Sequence, residues 1–418
     1  MGRNFVKTVA TLTAIALAVG CSKSSNDAAS VAAVPKTLYA ATGACNAGAG
    51  AALKVTYTTA NATKTIEKFN SSNGANQGFL VDFTVSNFLA DMNPQKMIDN
   101  GSSLFVLMEN PTTTTERSIL KMPKVDPLSY VKYYTNATSL SAPLRGMALD
   151  LDGSFIVGVQ TKLERINSQP VRVPAGANAW VNAPAGTCAA SATAMSSVAI
   201  MDPLAPAVNG KIIYGHQGFT AAFGAAQQRL GIISAGGYFG APDCITGVQI
   251  STVLHTRAAS SISTGAVAFN LNGTSPTAMV YIPQAGNVGK LIVAYSNDQI
   301  SNSPGGVYNL NHGIVQWDVA DTGPTTATLN NPVILFDNTS IIYGISAMAY
   351  DSATGSLYVA TGGEPGVVNM ATNNVGYNIE KFTLDTATPL LTRVSTNNQP
   401  FIKGAANLKC ISSLMLGN

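Results

Sequence analysis

This 418-residue sequence predicts an all-β fold: a six-bladed β-propeller closed by its C-terminal strand pairing with the N-terminal blade. Three observations carry that prediction. A three-part unit of short apolar strands recurs along the chain. The unit lacks a strand at its N-terminal copy and leaves one strand over at the C-terminal end. The composition is apolar and sparsely charged, with 46% hydrophobic and 11% charged residues, where a soluble domain ordinarily carries roughly 25% charge. Sheets packed face to face need strands that are apolar on both sides, and this composition supplies them.

The unit is clearest in two places. Gly344-Ile-Ser-Ala-Met-Ala-Tyr-Asp351 is followed by Gly355-Ser-Leu-Tyr-Val-Ala-Thr361, and Gly146-Met-Ala-Leu-Asp150 by Gly153-Ser-Phe-Ile-Val-Gly-Val159. Each pair then reaches a third short strand, Ile379-Glu-Lys-Phe382 or Leu163-Glu-Arg-Ile166. Second strands begin near Leu38, Leu104, Phe155, Ile212, Leu291 and Leu357, and third strands end near Phe69, Met122, Ile166, Ile233, Trp317 and Phe382. Successive copies lie about 44 to 84 residues apart, the scale of propeller blades.

First strands are expected at Phe88–Asp91, Met147–Asp150, Val198–Met201, Ala278–Tyr281 and Ala347–Asp351. The N-terminal unit, Thr37–Thr42 and Ile66–Phe69, has none before it, and Cys410–Leu416 stands alone at the end. A ring closed by that last strand accounts for both, and closure removes the free sheet edges that invite pairing with other chains.

Ahead of the propeller domain, 36–418, the sequence divides twice. Residues 1–20 carry Arg3 and Lys7, then an almost uncharged apolar run ending Leu17-Ala18-Val19-Gly20 before Cys21. A short basic region, a short apolar stretch and a small residue before the cleavage point read as a secretory signal. The apolar run falls short of the ~20 residues that span a bilayer. Residues 21–35 are small, polar and patternless, as a flexible tether is. Cleavage after Gly20 leaves 22 basic against 21 acidic residues. That balance excludes an electrostatic nucleic-acid binder, which needs a basic face.

The Leu17–Cys21 segment resembles the bacterial lipobox, with Ala18 where that pattern prefers leucine. The resemblance implies that Cys21 carries diacylglycerol and palmitate-class acyl chains as the mature N-terminus. Ser22, rather than aspartate, after the cysteine implies sorting to the outer membrane. Ala148-Leu-Asp-Leu-Asp-Gly-Ser154 resembles the repeat of NHL-type and TolB-like six-bladed propellers, and Ala349–Gly355 is a longer relative of the same turn. That likeness implies architecture over residues 36–418 and no functional residues.

Four cysteines remain in an oxidising compartment, Cys45, Cys188, Cys244 and Cys410, with three possible pairings. Cys410 precedes the upper start of a first strand, and Cys45 follows the upper end of the second strand beside it. A Cys45–Cys410 bridge would pin the ring closed, contributing roughly 4–5 kcal/mol in the chain-entropy model. Cys188–Cys244 follows by elimination. Its geometry is less favourable, because Cys188 falls on the loop entering the third full blade from above and Cys244 follows that blade's descending third strand.

Catalytic motifs are scarce. Gly344-Ile-Ser-Ala-Met348 is a near miss to a nucleophile elbow that the repeat explains as strand entry. His216, His255 and His312 lack metal-ligand spacing. Asp150-Leu-Asp-Gly153 reads as a hairpin turn rather than a calcium loop. Binding is expected on the upper face, whose loops carry Glu109, Gln160, His216, Asp298 and Glu364 and include the long segments 43–64, 217–229, 296–313 and 362–377. Long polar loops on a rigid scaffold are where binding concentrates.

Two readings follow. In the first, a monomeric lipid-anchored envelope protein without a cofactor binds a protein or glycan partner through these loops. In the second, Glu109, Asp298, Glu364 and His216 ring a divalent cation such as calcium at the channel mouth of a lactonase-like hydrolase. A quinone-dependent sugar dehydrogenase is a remote third.

Overall fold

The computed structural model describes residues 35–42, 64–84, 93–109, 117–136, 144–149, 154–159, 162–166, 180–182, 195–200, 211–218, 230–234, 243–244, 246–247, 255–257, 267–269, 274–285, 288–297, 312–321, 327–336, 345–361, 378–394, 400–403 and 411–417. All regular structure among them is β, apart from one 3-10 turn at Pro127–Ser129. Strands β1 (Thr37–Thr42), β2 (Thr65–Asn70) and β3 (Asn76–Asp82) form a meander, and the last strand, β27 (Ile411–Gly417), lies on its inner edge. The pairing is antiparallel, with Leu38 opposite Leu416 and Thr42 opposite Ile411.

Similar meanders follow along the chain. One comprises β4 (Asn93–Asp99), β5 (Ser103–Glu109), β6 (Arg117–Pro123) and β7 (Val131–Asn136); the next, β8 (Leu144–Leu149), β9 (Phe155–Val159), β10 (Lys162–Ile166) and β11 (Trp180–Asn182). Then come β12 (Met195–Ile200), β13 (Lys211–Gly218), β14 (Leu230–Ser234) and β15 (Asp243–Cys244). A short strand β16 (Thr246–Gly247) and a separate hairpin, β17 (His255–Arg257) with β18 (Val267–Phe269), intervene. A further sheet has β19 (Thr274–Gln284), β20 (Val288–Asn297), β21 (His312–Asp321) and β22 (Ala327–Phe336), with β16 parallel on its outer edge. The last has β23 (Ala347–Asp351), β24 (Ser356–Thr361), β25 (Asn378–Asp385) and β26 (Leu390–Arg393).

This is a propeller-like arrangement. The innermost strands neighbour one another in cyclic order: β27 beside β4, then β8, β12, β19 and β23, with β23 beside β27 again. We call the end where each innermost strand begins the upper end; second strands climb back to it.

The core sits between sheets, which is why the strands are apolar on both faces. One cluster joins Leu104, Val106 and Met122 to Tyr39, Ala41 and Ile66 of the preceding sheet. Another joins Trp317 and Tyr295 to Ile213 and Leu230. The next sets Ile292 and Phe336 against Leu357, Val359 and Phe382. Burying each such side chain contributes about 1.5–3 kcal/mol, so rigidity is spread over every sheet-to-sheet junction.

Two features depart from the sequence reading. The first strand of the second sheet is Asn93–Asp99, and Phe88–Asp91 lies outside the described residues. Pro94 near the strand start argues for a turn when read alone. It is tolerated because an innermost strand is an edge strand whose channel side needs no ladder donor. Each meander also carries a fourth, outer strand that the three-part unit left out.

Candidate functional site

Residues of the innermost strands β4, β8, β19, β23 and β27 line a cavity of about 500 Å³ toward the lower end. Met97, Met147, Met279 and Met348, from four different innermost strands, line it and are themselves buried. Thioether side chains are flexible and polarisable, so they adapt to irregular apolar space. Lower down the wall combines half-buried Ile98, Leu149, Ile282, Tyr350 and Leu416 with the charged Lys96 and Asp99. Exposed Pro283 and Ser352 mark the rim, so the cavity opens on the lower face.

Glycines let two aromatic rings lie flat against the backbone here. A Cβ on Gly289 would fall 2.1 Å from the Tyr281 hydroxyl, and one on Gly417 would fall 2.5 Å from Tyr39 Cε2. Tyr281 is thereby seated over the β19–β20 hairpin, beside the cavity it lines. Higher up, the Ser412 hydroxyl donates to the Pro94 carbonyl at 2.6 Å, and the Met97 amide donates to Ser413 Oγ at 3.2 Å. These bonds fasten β27 to β4 across the inner edge.

The carboxylates around the mouth are engaged. Asp99 Oδ2 accepts from Lys124 Nζ at 2.7 Å, and its Oδ1 accepts from the Gly101 amide. Asp351, between the lining residues Tyr350 and Ser352, accepts from Lys36 Nζ and the Thr354 hydroxyl, each at 2.9 Å. Burial pushes Asp351 up, but Lys36, Thr354 and the Ala353 amide together hold its carboxyl below the usual range. Burial, then the Asp351 charge, raises the Tyr350 hydroxyl, so that it stays protonated at neutral pH. The arrangement combines buried methionines with Lys96, the charge-paired Asp99 and the protonated Tyr350 phenol. Such a lining suits a molecule with both apolar and polar parts, and the volume falls in the usual ~300–1,000 Å³ of ligand sites.

Of the residues predicted from sequence, Glu109 and His216 lie at the opposite end. Glu109 closes the ascending β5, opposite Asn93 and Arg117 in register. His216 lies in the upper half of β13, opposite Ser197. Gln160, Asp298 and Glu364 lie outside the described residues, as do Cys21, Cys45, Cys188 and Cys410. Cys244 belongs to β15 and pairs with Gly231 at the upper start of β14. It is therefore on a returning fourth strand, not below a descending third one as expected. Sequence reasoning missed the lower cavity. Its signal was the apolar residue just before the end of successive innermost strands, Ile98, Tyr350 and Leu416.

Comparison with known proteins names no family. No protein-family model matches the chain, and a search of curated proteins finds no match. Among solved structures, a Bacteroides caccae protein of unknown function is 10% identical, with 91% of this chain and 98% of that chain covered and a TM-score of 0.46. A Pseudomonas brassicacearum lignostilbene dioxygenase is also 10% identical, covering 86% of this chain and 77% of that chain at a TM-score of 0.43. The Malassezia sympodialis allergen Mala s 1 is 13% identical, covering 71% and 80% at 0.39. At these scores the likenesses carry no argument about activity.

Proposed function

We propose that this protein is a lipid-anchored propeller of the bacterial outer membrane that binds a protein or glycan partner through its upper loops. The observation that carries this reading is where the chain enters the domain. Thr37 is the lower end of the ascending β1, opposite Gly417, and Lys36 is held at that end by Asp351. A tether running back from Lys36 to a lipidated Cys21 leaves from the lower face. The loops proposed to bind follow upper strand ends such as Thr42, opposite the end at which the chain enters the domain.

The reading includes a ring of six blades closed by β27. The cyclic order of innermost strands supports it. It also includes two bridges. Thr42 opposite Ile411 puts the flanks that lead to Cys45 and Cys410 at one upper corner. The upper position of Cys244 brings it to the level expected of Cys188, on the loop entering β12 from above.

Two measurements on the full chain test this. Mass analysis of the mature N-terminal peptide is expected to show acylated Cys21, and an unmodified N-terminus would remove the anchor. Binding to a glycan array and to envelope extracts is expected to be lost when 362–377 is shortened and retained in Val125→Ser on the lower face. Equal binding by both variants would place the partner elsewhere. Stoichiometric calcium, lost in Glu109→Gln, Asp298→Asn and Glu364→Gln variants, would favour the hydrolase instead.

A further inference from the structure

We propose that the lower cavity binds a small uncharged molecule built on a planar aromatic ring system with a hydrogen-bonding group at its edge. This site is independent of the partner assigned to the upper loops. Its basis is the register of the lining. Met97 lies opposite Val106, Met147 opposite Val157, Met279 opposite Val293 and Met348 opposite Val359. Each of these valines stands two residues after the residue that opens its apolar run, Leu104, Phe155, Leu291 or Leu357. Four thioethers from four sheets therefore share one level, and all four line the cavity. With only 12 methionines in 418 residues, four at one level are not expected by chance.

The chemistry of this layer points to aromatic rings. Thioether sulfur is polarisable and makes favourable contacts with them, and its unbranched side chain adapts to their outline. One step lower, Tyr281 and Tyr350 occupy matching positions opposite Leu291 and Leu357 and add two rings to the lining. Aromatic pairs gain more than their buried area alone when they meet offset or edge to face.

The polar part of the lining sets the charge of the ligand. Asp99 is engaged by Lys124 and the Gly101 amide, and Lys96 is not free either. A charged ligand would have to displace such a contact, whereas an uncharged one leaves them in place. Hydrogen bonding comes instead from the backbone. Each lining strand is the edge of its sheet, so alternate N–H and C=O groups point away from the ladder partner. The Tyr350 hydroxyl, protonated at neutral pH, adds a donor.

The test uses the full chain and three bicyclic compounds of similar size: 2-naphthol, its saturated counterpart decahydro-2-naphthol, and the anion 2-naphthoate. Equilibrium dialysis is expected to show saturable binding of 2-naphthol, with the other two bound roughly tenfold more weakly. With the methionine methyl groups isotope-labelled, 2-naphthol is expected to shift the resonances of Met97, Met147, Met279 and Met348 through its ring current. Met108, buried but outside the lining, should not move. Met97→Leu combined with Met348→Leu keeps the lining apolar and should weaken 2-naphthol about threefold or more. Val125→Ser, 98% exposed on the lower face, should leave binding unchanged. No saturable binding, affinity unaltered in the double variant, or shifts confined to methionines outside the cavity would overturn the proposal. Equal affinity for the saturated compound or for the anion would overturn it too. The methyl shifts of the unsubstituted chain decide the matter should the double variant fail to fold.

Discussion

The Tyr358 hydroxyl donates to the Ser71 carbonyl oxygen at 2.6 Å, joining the sheet built on β23 to the sheet completed by β27. Lys381 Nζ donates to the same oxygen at 2.8 Å while lying over the rings of Tyr358 and Phe401. The junction between the first sheet and the last thus has its own polar fastening beneath the apolar one.

Tyr358→Phe removes one of the two donors to Ser71 and keeps the ring. A loss of about 1 kcal/mol is expected, read as a lower urea midpoint with an unchanged slope. Burial holds the Tyr358 hydroxyl above its ordinary value, so the effect should be constant across neutral pH. An unchanged midpoint would contradict the role assigned to this bond.

Lys36 and Asp351 give the same junction a pH dependence. The Asp351 carboxyl is held low in the folded protein. Its contribution is therefore present above the unfolded value, near pH 4, and disappears as pH falls through the folded one. Asp351→Asn should cost about 1–2 kcal/mol at pH 7, and its unfolding curve should converge on the wild-type curve in acid. Parallel curves at every pH would show that the carboxylate contributes nothing specific.

Arg393 and Glu380 form a buried two-bond pair at 2.9 and 2.8 Å between β26 and β25. Burial outweighs Arg393 and keeps Glu380 above its ordinary value. The sign is thus opposite to that of Asp351, with stability lost as pH rises through the folded value. Arg393→Met leaves a buried carboxylate alone and should cost about 3–5 kcal/mol at pH 7. The loss should be smaller at pH 4.5, where the carboxyl takes up a proton. Urea midpoints at the two pH values check both statements.

Gly74 and Gly78 separate backbone conformation from crowding. Both have positive φ, +73° and +83°. A Cβ on Gly74 would come within 2.8 Å of the Phe401 carbonyl oxygen, whereas one on Gly78 meets nothing within 4 Å. Gly78→Ala is expected to cost about 1 kcal/mol. Gly74→Ala should cost more, because backbone must also move. Equal costs would show that crowding at Gly74 is relieved without penalty.

Deleting 411–418 removes an innermost strand and bares the inner edge of β1. The truncated chain is expected to aggregate on expression, since an uncovered edge templates pairing between chains. A soluble, monomeric truncated protein on size exclusion would show that β27 is dispensable.

What was legible in the sequence follows burial. Leu38, Leu104, Ile212, Leu291 and Leu357 sit in second strands enclosed by neighbours on every side, so their apolar runs stand out. The fourth strands lie outermost, and in β3 most of Asn76–Leu80 is exposed. There the apolar pattern is short, whereas the fourth strand β22 buries Ala327, Leu329 and Ile334–Phe336 and was passed over despite it. Asn93–Asp99 was not read as a first strand because Pro94 near its start reads as a turn. The upper face was legible as loop composition alone, because its residues acquire relative positions only through the fold. The lower cavity needed strand ends from distant blades to be brought together, and no local window contains them.

The strand that completes the first sheet is made long after the strands it joins. A chain delivered N-terminus first presents β1 to β3 some 330 residues before their inner partner exists. Until then that hairpin stack carries a vacant edge, which the seven-residue β27 fills. Completion of the first sheet is therefore timed by synthesis of 411–417, whatever the remaining sheets have already formed.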